Sequence, residues 1–167
     1  MGGESVSHVV NLYKALTKIF FIYMLIYAYM NMKFLEDHIL KLKALSDGNR
    51  LRVYRVLLKA PGLCVCELSD ILGMEQYNVS RCLKELKSAG LALQRREGRW
   101  MSYYPVYPES DFHKHLVRAV ENLKSELFSQ DLTKLLKRLS LRKNGKCVLG
   151  KIDNLDFPKT KEEAENA

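Results

Sequence analysis

The stretch LCVCELSDILGMEQYNVSRCLKELKSAGLALQRREGRWMSYYPV, residues 63–106, decides the fold. Leu68, Ile71 and Leu72 recur at the spacing of one helical face, and Gly73 is placed to end that helix in a left-handed turn. Val79, Leu83 and Leu86 mark a second short helix that closes at Ala89 and Gly90. Two helices of this length across a tight turn predict a helix-turn-helix. Residues 91–96 and 100–106 then read as strands around Glu97, Gly98 and Arg99, a hairpin of the wing type. The expected class is α+β, mostly helical, with a winged helix-turn-helix at its centre.

Working outward, Leu35, Ile39, Leu42 and Leu45 lie on one face of a helix that begins at Phe34 and ends near Ser46, Asp47 and Gly48. Leu51, Tyr54, Leu57 and Leu58 give a second buried stripe, which Pro61 and Gly62 close. Downstream, Pro108 and Ser110 introduce a long helix carrying Phe112, Leu116, Val120, Leu123 and Leu127 on one side. Leu132, Leu135, Leu136 and Leu139 continue the spacing after a break expected at residues 129–131. Residues 159–167 are polar and expected to be disordered.

The first 31 residues differ in composition from the rest. Residues 19–32 are an uncharged run of 14, framed by Lys18 and Lys33. That is short of the ~20 residues that span a bilayer. No small-x-small cleavage site follows it. Three readings stay open: an extra dimerisation helix, a membrane-associating segment over residues 12–32, or sequence upstream of a true start at Met32. The expected division is an apolar extension at 1–31, a winged domain with its flanking helices at 32–140, and a tail at 141–167.

The 167 residues are 47% hydrophobic, which suits one folded domain with appendages and excludes a wholly disordered chain. A net charge of +8 favours an anionic partner, nucleic acid or a membrane surface. Residues 76–104 hold six Lys and Arg against two Asp and Glu, half of that excess. With Val79, Leu83 and Leu86 turned inward, Tyr77, Arg81, Lys84 and Ser88 face the other way. Gln76, Asn78 and Ser80 stand near the same helix's start, and Arg95, Arg96 and Arg99 stand in the wing beside Trp100. Side chains of this kind suit base edges and phosphates of double-stranded DNA. The cysteines are 64, 66, 82 and 147. Cys64 and Cys66 are too close for a relaxed disulfide, which points to reduced thiols in a cytoplasmic chain.

Residues 63–106, with ALSDGNRLRVYRVLL at 44–58, resemble the ArsR/SmtB family of metal-sensing repressors over about 60 residues. The Cys-Val-Cys-Glu-Leu box, Val-Ser-Arg and Gly-Arg-Trp carry the resemblance, which is nearest to the arsenic-sensing type. It implies a homodimeric winged helix-turn-helix repressor, not an enzyme, with helices 34–45 and 111–128 building the dimer and operator DNA as partner. It also implies a thiolate site at Cys64 and Cys66, with arsenite or antimonite as inducer, or cadmium or lead as alternatives. A thiol redox sensor using the same pair is the second reading within regulation. On a regular helix, side chains two residues apart point ~200° apart, so joint chelation is expected to distort the helix start. The third cysteine of the arsenic type is Ser69 here, so a third thiol must come from Cys147 or from Cys82, the latter read as a packing residue, or the ion is held by two sulfurs and another ligand. Asp111 and His113 match half of the family's other metal site, but Lys124 and Leu127 occupy its remaining positions. His113 and His115 are therefore expected on the surface, and His8 and His38 form no pattern.

Overall fold

A computed structural model describes residues 3–143, 145–150 and 152, with side chains from residue 16 onward. The chain separates into two compact units, Met1–Leu40 and Lys41–Ala167. The expectation for residues 159–167 lies outside the described residues, as does the side chain of His8.

Helix α1, Gly3–Leu45, is continuous through residues 31 and 32, so it starts far upstream of the expected Phe34. In the first unit its large apolar side chains, from Leu16 through Ile22 and Tyr29 to Leu35, are exposed on every face. Leu16–Leu45 is long and apolar enough to cross a membrane by length and composition.

In the second unit α2 (Gly48–Lys59) starts where Asp47 accepts the Arg50 N–H at 2.9 Å, so a short acidic side chain caps the helix. After it come β1 (Leu63–Cys64), α3 (Val65–Leu72), α4 (Gln76–Ser88), β2 (Ala92–Glu97), β3 (Trp100–Pro105), α5 (Asp111–Asn122) and α6 (Glu126–Ser140). Gly73 ends α3 at φ +63°, a conformation that costs glycine no Cβ clash. The three strands form an antiparallel sheet in the order β1-β3-β2. Glu97 faces Trp100 across the two-residue Gly98-Arg99 turn, and Leu63 and Cys64 face Tyr103 and Ser102.

The core joins Val53, Tyr54 and Leu57 of α2 to Leu68 and Ile71 of α3 and to Val79, Leu83 and Leu86 of α4. Burying side chains of this size contributes about 1.5–3 kcal/mol each. This packing holds α4 with one face inward and the other in solvent.

Four details differ from the sequence reading. The buried stripe of α2 is Val53, Tyr54, Val56 and Leu57, and Leu51 and Leu58 are only half-buried at its margin. Strand β1 was not anticipated, because two residues give no alternation to read. The break in the C-terminal helices falls at Leu123, Lys124 and Ser125, not at 129–131. Ser125 accepts the Phe128 N–H at 3.2 Å and starts a new helix there, while the apolar spacing runs on across the break. His113, expected on the surface, is 4% exposed, with Nε2 3.3 Å from the Tyr54 hydroxyl. Ser110 accepts the His113 N–H and sets a helix start that aims this ring at α2, whereas His115 is exposed.

Leu83→Ala is expected to lower unfolding free energy by about 2–5 kcal/mol through the cavity it leaves. Tyr54→Phe, which removes one hydroxyl contact, is expected to cost about 1 kcal/mol. Urea unfolding followed by circular dichroism measures both, and a Leu83→Ala loss no larger than that of Tyr54→Phe would contradict this core.

Candidate thiol site and nucleic-acid interface

Cys64 is the last residue of β1 and also the N-cap of α3, with extended backbone at φ −89° and ψ 167°. Cys66 follows in the first turn of α3. Because Cys64 is not helical, the ~100° per residue of a helix does not govern the pair. Their sulfurs are already 2.7 Å apart, so the expected helix distortion is not required to bring them together. The cap is completed by Glu67, whose carboxylate accepts the Cys64 N–H at 3.0 Å.

Cys147 reaches the same place from more than 80 residues away. Its sulfur lies 3.2 Å from that of Cys64 and 3.8 Å from that of Cys66. The three ligand atoms all fall within 4.8 Å of one another, and Trp100 packs against the cluster. An ion bound at the ~2.3 Å typical of a zinc–thiolate bond would hold its sulfurs roughly 3.5–4 Å apart. Two of the three separations are near that range, and the Cys64–Cys66 pair must open by about 1 Å to match it. All four cysteines are free and buried. Cys82 belongs to the main core, away from this cluster, and Ser69 donates its hydroxyl to the Met74 carbonyl.

The contact with Cys66, and then burial, hold the Cys64 thiol far above the ordinary thiol range. Burial, with the Cys64 contact, pushes Cys147 up to about 11. Thiols so placed carry their protons at neutral pH.

Around the sulfurs stands a set of charged residues that the sequence reading did not single out. Arg142 donates to both oxygens of the fully buried Glu67 at 2.8 Å, and to the Gly62 carbonyl at 2.7 Å. Arg138 is fully buried and donates to Asp70 at 2.8 Å, and Arg52 pairs with Asp131 at 2.7 Å. Burial penalises ionised Glu67, but the Arg142 guanidinium and the Cys64 hydrogen bonds together outweigh it and hold the carboxyl below its usual range. The only sequence signal was two acids three apart on one helix and two arginines four apart at the end of another, a pattern that solvated faces also show. A cleft of about 650 Å³ opens beside the sulfurs, lined by Gly62, Trp100, Tyr104, Arg142, Lys146 and Cys147 among others.

On α4, Gln76, Tyr77, Asn78, Ser80, Arg81, Lys84 and Ser88 are exposed, while Val79, Cys82, Leu83 and Leu86 are buried. In the wing Arg95, Arg96 and Arg99 are exposed. Three of these cations lie over aromatic rings: Arg81 over Tyr77 at 5.8 Å, Arg95 over Tyr104 at 5.3 Å and Arg99 over Trp100 at 5.2 Å. The outward direction read from the sequence for Tyr77, Arg81, Lys84 and Ser88 is the one observed.

The profile of the bacterial regulatory proteins of the arsR family matches residues 47–92, from the cap of α2 into β2. The arsenic resistance transcriptional regulator ArsR1 of Pseudomonas putida is 34% identical over 94 residues, 56% of this chain and 73% of that protein. The chain belongs to the ArsR family. It is accordingly a DNA-binding transcriptional regulator of winged helix-turn-helix type and not an enzyme. A second relative, the cadmium resistance regulatory protein CadC homolog of Staphylococcus aureus, is 38% identical over 61 residues, 36% of this chain and 50% of that protein. Among solved structures, the homodimeric winged helix-turn-helix DNA-binding domain Mb0332 of Mycobacterium bovis is 28% identical. It has a TM-score of 0.47 and covers 56% of this chain and 87% of its own.

With all four thiols buried and those of Cys64, Cys82 and Cys147 raised, labelling by a chromogenic disulfide reagent at pH 7 is expected to be slow. A Cys147 thiol pushed up to about 11 holds roughly a hundredfold less thiolate than one in an unfolded chain. Comparing folded protein with protein in urea tests this, and two or more rapidly labelled thiols in the folded protein would contradict the arrangement.

Proposed function

We propose that this ArsR-family protein is a cytoplasmic homodimeric repressor that leaves its operator when Cys64, Cys66 and Cys147 take up a thiophilic metalloid, arsenite or antimonite. The observation that carries the reading is the convergence of three buried sulfurs from two distant parts of the chain. Soft thiolates select soft ions. Exchange of thiols at arsenous acid also suits a buried place in charge. Each hydroxide exchanged for sulfur leaves as water with the thiol proton, so the products are a neutral complex and three waters. A divalent cation on the same sulfurs releases three protons and leaves a net negative charge in a buried place, which desolvation opposes. That difference favours arsenite over cadmium or lead.

Operator recognition is assigned to the outward face of α4, with Arg81 and Lys84 nearest its middle and Gln76, Tyr77, Asn78, Ser80 and Ser88 around them. Arg95, Arg96 and Arg99 of the wing are assigned to phosphate. Leu42, Leu127, Leu132 and Leu136 stay exposed on the flanking helices, up to 64% at Leu136, apolar side chains that a second copy of the chain would cover. To swing an operator from nearly full to nearly empty, the inducer must favour the DNA-free form by ~5.5 kcal/mol. Losing the Cys64 or Cys66 thiolate is expected to erase such a difference.

Two sets of variants test this by fluorescence anisotropy on operator DNA selected with the full, reduced chain. Arg81→Ala with Lys84→Ala is expected to abolish selective binding without unfolding the protein. Arg96→Ala or Arg99→Ala is expected to weaken binding to every sequence and to flatten the salt slope by about one. Unchanged operator affinity in the Arg81/Lys84 double variant would overturn the assignment of α4. Cys64→Ser and Cys66→Ser are expected to bind DNA but no longer release it with arsenite, Cys147→Ser to respond only at higher arsenite, and Cys82→Ser to respond normally. Release of both box variants by arsenite would place the sensor elsewhere. Release of the native chain by cadmium or lead alone would transfer the reading to those ions, and release by peroxide alone would transfer it to thiol oxidation.

A further inference from the structure

Cys147 is held in place by residues that carry no sulfur. Its segment, residues 143–150, has only an isolated bridge between Lys143 and Lys146 as regular pairing among the described residues. Beyond the sulfur contacts and the 3.5 Å bond from Arg99 to the Val148 carbonyl, a pair of guanidinium groups grips it on either side of Cys147. Arg142 donates Nη1 to the Gly145 carbonyl at 3.2 Å, just before Cys147. Arg138 donates Nη2 to the Leu149 and Gly150 carbonyls at 3.0 and 3.1 Å, just after it. The same two guanidinium groups grip α3 through Glu67 and Asp70. Residue 142 pairs with 67 and residue 138 with 70, the crossed order of two segments running in opposite directions. Each acid does double duty. Glu67 also accepts the Cys64 N–H, and Asp70 also accepts the Ile152 N–H at 3.2 Å.

We propose that Arg142 and Arg138 are positioning residues for the sulfur site, bridging the acids of α3 to the backbone on either side of Cys147 so that the third sulfur waits beside Cys64 and Cys66. This rests on the reading above, in which Cys147 is a ligand. The Glu67 carboxylate is the joint: it caps the turn that carries Cys64 and receives the guanidinium that steadies Cys147. A third ligand already in place costs no ordering when the ion arrives, which is how a preorganised site gains affinity over a floppy one. Partners of this sort, one step back from the ligands, typically matter by 10–100-fold in metal affinity.

The alternative is that these ion pairs only hold the tail down. Buried pairs often add little to stability in balance, and removing one partner alone strands a charge. The test therefore removes both charges together, as Glu67→Gln with Arg142→Gln, in the full chain. A gentler variant, Arg142→Lys, keeps the charge but loses the two-pronged grip on the carboxylate. Arsenite binding is read from the emission of Trp100, the only tryptophan, which packs on the sulfurs. The number of thiols that arsenite shields from alkylation is counted alongside it, and operator affinity without arsenite is measured as the control.

The Glu67/Arg142 double variant is expected to bind arsenite about 10–100-fold more weakly. It is expected to shield two thiols instead of three and to keep its operator affinity, with Arg142→Lys in between. Adding Cys147→Ser to the double variant is expected to weaken binding no further, because both changes remove the same sulfur. Native affinity with three shielded thiols in the double variant overturns the proposal. So does a further multiplied loss when Cys147→Ser is added, since the arginines would then act independently of that sulfur. If the double variant does not fold, Arg142→Lys carries the same comparison, alone and with Cys147→Ser. Native affinity in Cys147→Ser alone overturns the third-sulfur reading and the positioning role with it, while a native chain that binds no arsenite overturns the proposed function itself.

Discussion

A carboxylate with no exposed surface has to be satisfied from inside the protein, and the Glu67 side chain is satisfied from both directions. One oxygen accepts the backbone N–H of Cys64, and both accept from Arg142. The first contact starts α3 where the two cysteines stand. The second closes the tail over them. The geometry of the sulfur cluster follows from these demands, since a buried charge without either partner would cost several kcal/mol.

The sulfur cluster and the wing are neighbours through β3. Cys64 pairs with Ser102 on that strand, and Trp100 at its start packs on the sulfurs. Arg99, one residue earlier, is exposed at the turn and also donates to the Val148 carbonyl in the tail at 3.5 Å. Strand β3 thus lies between the sulfurs and the wing cations, pairing with Cys64 on one side and with Arg95 and Arg96 of β2 on the other. The helix of the same motif is set by a different constraint: Val79, Leu83 and Leu86 are fully buried, which fixes the rotation of α4 and leaves Arg81 and Lys84 in solvent.

The central motif was legible because its signals are local. A helical apolar spacing, a glycine stop and a glycine turn place α3, α4 and the wing within a residue or two. The same spacing misled where a break does not interrupt it, as between Leu123 and Leu127, because only the Ser125 cap marks the new start. His113 was misjudged for a related reason: a histidine on a polar-looking helix start has no sequence mark that α2 will cover it.

By itself the sequence determined the fold class, the outward face of α4, the cations of the wing and the Cys64–Cys66 pair, since each depends on residues close in the chain. It named Cys147 only as a candidate. Tertiary structure alone decided that its sulfur lies 3.2 Å from Cys64, because 83 positions separate them and no periodicity spans that distance. Tertiary structure also decided that Glu67, Asp70, Arg138 and Arg142 form one buried frame and not four solvated charges. Charge patterns look the same on a wet surface and in a dry interface, and only packing removes the water that tells them apart.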